Sequence, residues 1–101
     1  MPLNSSLYHD SGDVNLNLYH KRHNPEHLRM ATEFFRRAIA LSPAKAGAHA
    51  GLSLCFASAN RVEEALDEIR TAQRLYPDST YFQSIARALR KRNAAVPFKQ
   101  P

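Results

Sequence analysis

The stretches RMATEFFRRAIALSP (29–43) and VEEALDEIRTAQRLYP (62–77) decide how this chain folds. Sliding the sequence against itself by 34 positions lays Pro43 on Pro77, Leu41 on Leu75, Ala38 on Ala72, Phe35 on Ile69, Ala31 on Ala65 and Leu28 on Val62. The same shift lays Leu18 on Leu52 further upstream. One shared proline would mean nothing. Small, large and proline positions kept in step at helical spacing indicate a duplicated unit.

Each unit reads as two helices. In the second copy Val62, Ala65, Leu66, Ile69, Ala72 and Leu75 recur every three or four residues, an apolar stripe down one helix face. Glu63 and Glu64 near its start, with Arg70 and Arg74 near its end, suit the helix dipole, and Pro77 stops the run. Residues 44–58 before it carry Ala48, Leu52, Cys55 and Phe56 on one side. Asn60 stands between the two segments, where a tight turn needs a left-handed residue.

The first copy starts its second helix at Asn24-Pro25-Glu26 and continues with Leu28, Ala31, Phe35, Ala38, Ile39 and Leu41 facing inward. Glu33 and Arg37 there form a favourable pair one turn apart. The helix before it is expected over 13–22, with Val14, Leu18 and Tyr19 as its apolar contribution. A fifth helix is expected over 79–93, presenting Phe82, Ile85, Ala86 and Leu89 after a capping Asp78 or Ser79. Residues 1–11 and 94–101 read as flexible ends.

Composition bounds the class. A chain of 101 residues that is 44% hydrophobic and 23% charged is one ordinary globular domain, which excludes collagen-like and wholly disordered chains. No apolar run approaches the ~20 residues of a membrane helix. The start, Met1-Pro2-Leu3-Asn4, lacks the basic and apolar regions of a secretory signal, so a cytoplasmic location is the default. The single cysteine, Cys55, excludes an internal disulfide and a cysteine-based zinc cage. A net charge of +5 gives a mild bias toward acidic partners.

A 34-residue helix–turn–helix with Ala, a large residue, Ala and a closing Pro resembles the tetratricopeptide repeat. In the copy from Ala46 the resemblance rests on Leu52, Phe56, Asn60, Ala65, Ile69, Ala72 and Pro77. In the copy from Gly12 it rests on Leu18, Ala31, Phe35, Ala38 and Pro43. It covers residues 12–93 as repeats over 12–45 and 46–79 and a capping helix over 79–93. The chain departs from the family pattern where His49 and Asn15 replace Trp, Ser53 and Tyr19 replace Gly, and Arg22 replaces an aromatic residue. More narrowly, LYHKRHNPEHLRMATEFFRRAIALSPAKAGAHAGLSL (18–54) is similar to repeats in the C-terminal regions of bacterial adenylate cyclases and related signalling regulators.

The resemblance implies an all-α fold, a short right-handed α-solenoid of two helix pairs and a capping helix, whose first helices line a groove for a peptide or helix of a partner protein. The groove positions would be Leu16, His20 and His23 on the first helix and Ala50, Leu54, Ala57 and Ser58 on the third. Tyr81, Ser84, Ile85, Ala88 and Lys91 would complete them on the fifth. The Lys and Asn clamp with which family members hold chaperone C-terminal tails is absent, so that partner is not expected. Two repeats are fewer than the three that usually make an independent solenoid, and the open ends also suggest self-association.

Other constellations read less sharply. His20, His23 and His27 form a potential metal cluster, but Pro25 breaks the segment, and solvent-facing histidines are expected instead. Cys55 reads as a small buried hydrophobe, Ser53 as a packing site, and Glu63, Glu64, Asp67 and Glu68 as a solvated helix face. Asn4-Ser5-Ser6 matches a glycosylation sequon that carries no weight without a secretory route. No catalytic set, cofactor loop or metal spacing stands out, so a non-enzymatic interaction module is expected. The alternative is a basic C-terminal helix whose Arg87, Arg90, Lys91 and Arg92 bind nucleic acid or an anionic membrane.

Overall fold

Helices start and stop where something else can take up their end peptide groups. In the computed structural model, which describes residues 4–95, α1 (Ser5–Arg22) starts at Asn4, whose Oδ1 accepts the Leu7 N–H at 2.9 Å. It stops at His23, a left-handed residue with φ of 56°. Asn24 caps α2 (Pro25–Leu41) by accepting the Glu26 N–H at 3.0 Å, with proline in the first turn. Helices α3 (Ala46–Ser58) and α4 (Val62–Leu75) turn at Asn60, which adopts φ of 66° as its sequence position suggested. Ser79 caps α5 (Thr80–Ala94), its Oγ accepting the Phe82 N–H at 3.1 Å.

The repeat is visible in the backbone itself. Helices α2 and α4 end one repeat length apart, and the residues that end them, Ser42 (φ −141°, ψ 84°) and Tyr76 (φ −138°, ψ 81°), share one conformation. Helices α3 and α5 start at Ala46 and Thr80, the same interval. The turns inside the pairs break this register, because the left-handed residues His23 and Asn60 stand further apart than one repeat. The first hairpin is therefore longer than the second.

Helix α1 differs from its expectation. It begins at Ser5 rather than near residue 13, so residues 5–11, read as part of a flexible end, are helical. The physical reason is the Asn4 cap together with an interior glycine, Gly12, which sequence reading takes for a boundary. Of the other end, 94 lies in α5, and residues 96–101 lie outside the described residues.

Each helix packs on its neighbours in the chain, α1 on α2, α2 on α3, α3 on α4 and α4 on α5, and α1 also touches α3. The middles of the expected stripes are the core: Ala31, Phe35 and Ala38 of α2 and Ala65, Ile69 and Ala72 of α4 are fully enclosed. Leu41 and Leu75, also expected in the stripes, are 55% and 37% exposed, because each is the last residue of its helix. Phe35 is the wedge of the stack. A Cβ on Gly12 of α1 would lie 2.7 Å from its ring, and one on Gly51 of α3 would overlap it. Two helical glycines, each worth ~1 kcal/mol less helix stability than alanine, thus make room for one large side chain shared by three helices.

Polar ties complete α3. Buried Ser53 donates from Oγ to the Ala65 carbonyl at 2.7 Å. His49, 8% exposed, meets Glu68 Oε1 through Nδ1 and the Pro43 carbonyl through Nε2, both at 2.8 Å. The carbonyl can only accept, so Nε2 donates to it. Glu68 is therefore half-buried structure rather than part of the solvated face expected for α4. Among the described residues no helix is long and apolar enough to cross a membrane.

Candidate functional site

Residues of the first helices of successive units, α1, α3 and α5, border a hollow of about 310 Å³. Its lining is His9 and Asp13 from α1, Gly47, Ala50, Gly51 and Leu54 from α3, and Tyr81 and Phe82 from α5. Asp13, Gly47 and Tyr81 are successive copies of one repeat position. The hollow exists because the middle copy has no side chain there. Leu54 is half-buried and Tyr81 is 58% exposed, so an apolar floor and an aromatic wall face outward.

The polar groups gather at one end of this groove. His9 Nε2 lies 3.6 Å from Asp13 Oδ2 one turn on, and His9, Asp10 and Asp13 bring their ligand-type atoms within 4.8 Å of one another. The His9 ring also lies beside Phe35, with centroids 5.8 Å apart. Partial burial raises the Asp13 pKa above the ordinary carboxylate value; the imidazole of His9 opposes the shift and the charge of Asp10 adds to it.

Of the expected groove residues, Ala50, Leu54 and Tyr81 line the hollow. His20, Ser84, Ala88 and Lys91 lie outside its lining, Ala57 and Ser58 are half-buried, and His23 is exposed in the turn after α1. Leu16 and Ile85 are corrections to the expected lining. At 5% and 9% exposure they belong to the core and give the groove little surface, because both point between packed helices. Sequence reasoning missed His9 and Asp13. Two repeat steps back from Tyr81 reach Asp13, a signal that was available; His9 required knowledge that α1 starts at Ser5.

The remaining candidates have structural settings. Cys55 is 1% exposed, and burial pushes its thiol up to about 11, away from the reactive thiolate. Ser53 is enclosed and engaged with Ala65. His27 Nδ1 faces Asn15 Oδ1 at 3.3 Å, whereas His20 and His23 flank the Tyr19 ring. Arg87, Arg90, Lys91 and Arg92 are exposed on α5, and Arg92 donates to Asn60 Oδ1 at 2.5 Å, tying α5 to the α3–α4 turn.

A family model described as tetratricopeptide repeat matches residues 27–89, well over half of the chain. The chain belongs to the tetratricopeptide repeat family. The match covers α3 and α4 whole, most of α2 and most of α5, the elements that show the repeat register in the backbone. Tetratricopeptide repeats generally mediate protein–protein interactions and are generally non-catalytic. No curated protein matches the chain, and the narrower likeness to adenylate cyclase repeats stays a sequence expectation.

Proposed function

We propose that this protein is a non-enzymatic docking module that holds an extended segment of a partner protein in the groove between α1, α3 and α5. The observation that carries this reading is the hollow itself. One repeat position supplies a carboxylate, a gap and an exposed aromatic ring in turn, over the half-buried Leu54. A peptide lying there finds apolar surface for its side chains and polar groups at the rim. Ser53 and Cys55 of α3 are sealed into the core and offer the groove no nucleophile.

Leu54→Glu and Tyr81→Glu test the reading. Either variant should lose partner capture from native cell extract while its far-ultraviolet circular dichroism stays helical. Undiminished capture by both would overturn the groove as the docking surface.

Self-association is a second reading, favoured by the outer face of the first pair. Val14 is 57% and Leu7 48% exposed there, beside Met30 and Phe34. In a longer array this face would be covered by a preceding unit. Light scattering on the wild type and on Val14→Glu checks it: a dimer that becomes a monomer supports the reading, and a wild-type monomer at high concentration removes it.

A further inference from the structure

We infer that the hollow at the head of the groove seats a lysine or arginine side chain of the partner segment; this rests on the groove being the docking surface. The occupant follows from the charges at and beside the space. Asp13 sits on one wall with its side chain 54% exposed, so its carboxylate can be reached, and its ion-pair contact is His9 at 3.6 Å. Asp10 stands close enough for its charge to act on Asp13. Asp10 borders the outer face beside Leu7 and Val14 rather than the hollow, and two carboxylates against one imidazole leave a local excess of negative charge at this end of α1.

The opposite wall is Tyr81, whose ring face attracts a cation as well as an apolar group. Between the walls Gly47 and Ala50 leave room for a stem of methylenes, and Leu54 packs against it. An ammonium or guanidinium head would meet Asp13 while its stem crosses the apolar floor. At about 310 Å³ the hollow is near the lower end of ligand pockets, roughly 300–1,000 Å³, which suits one side chain better than a large small molecule.

The rest of the molecule is basic on balance. The chain carries +5 overall, and the exposed His20 and Lys91 place basic groups at the other end of the groove. From Tyr81 to Lys91 the helix rises about 15 Å, four or five residues of extended chain. A basic side chain therefore has one favourable place along the groove, and the hollow fixes the register of the bound segment.

The test is a selection of random nonapeptides displayed on phage against the intact chain, in EDTA so that no metal ion can bridge peptide and protein. The expected result is enrichment of lysine or arginine at one position, in peptides whose binding is lost in Leu54→Glu and blocked by Gly47→Leu, which fills the hollow. Synthetic copies in which that arginine is replaced by citrulline, or that lysine by norleucine, should bind about tenfold more weakly. The same replacement should make no difference to Asp13→Asn. Peptides that need Leu54 but show no basic enrichment, or an equal loss on both proteins, overturn the cation seat and leave the groove standing. Peptides that ignore both Leu54 and Gly47, or a selection that enriches nothing, overturn the groove and the cation seat together.

Discussion

The two hairpins, α1–α2 and α3–α4, are copies of one unit that answer to different surroundings. Their second helices behave alike: α2 and α4 each bury an Ala–large–Ala stripe and turn charged residues outward. Their first helices do not. α3 has neighbours on several sides, and nine of its 13 residues are buried. α1 ends the stack, and only Gly12 and Leu16 of its 18 residues are buried. A helix with one partnered face shows a helical period in sequence; a helix enclosed on several sides, or one with an uncovered outer face, does not. The difference teaches where this fold can carry function. The enclosed helix fixes the spacing of the stack, and the outer helix is free to hold a carboxylate, Asp13, where α3 has Gly47, with the His9 imidazole one turn before it.

Removing the wedge gives the largest effect. Phe35→Ala should cost ~3–5 kcal/mol in urea unfolding, against ~1 kcal/mol for Ile69→Val in the other stripe. A Phe35→Ala cost below that of Ile69→Val would mean that the two hairpins are not joined through this ring. Filling the glycine gaps comes next. Gly51→Ala pushes a methyl into Phe35 and should destabilise by about 1–3 kcal/mol despite better helix propensity. Gly47→Ala meets the His9 ring at 3.1 Å and should be near neutral, because that side chain is partly exposed and can shift. Equal costs at both positions would contradict the wedge.

Smaller effects probe the interior of α3. Ser53→Ala removes its hydrogen bond to Ala65 and should cost about 1 kcal/mol. Cys55 adds a pH dependence. Its folded pKa, about 11, lies above the ordinary 9.0, so the thiol's contribution is complete below pH 9.0 and is lost as pH rises through about 11. Stability should fall across that window more steeply in the wild type than in Cys55→Ala, and parallel slopes would show that the thiol is not buried.

The smallest expected change has the opposite sign. Asp13 has a raised pKa, so the folded state gains from its protonation, and that gain disappears as pH rises through the folded value. At neutral pH Asp13→Asn should therefore be slightly more stable than wild type in thermal melts. A drop in stability would make Asp13 a structural residue instead of one held at a cost for binding.

How much was legible follows the same division. The stripes of α2 and α4, the turn at Asn60, the start at Asn24-Pro25 and the buried role of Cys55 are written in local pattern and turn chemistry. The full length of α1 is not, because Gly12, Asn15 and Asn17 interrupt any apolar period and the cap is a single side chain at Asn4. Nor is the role of Glu68, which looks like its solvated neighbours until His49 is seen against it.

Sequence alone determined that two helical units are copied at a fixed interval and which faces of α2 and α4 turn inward, since both follow from periodicity along one chain. Only the tertiary structure decided that Asp13, Gly47 and Tyr81 share one hollow with His9, and that Phe35 wedges between two glycines. Those are contacts between helices, and their distances depend on how closely the backbones approach.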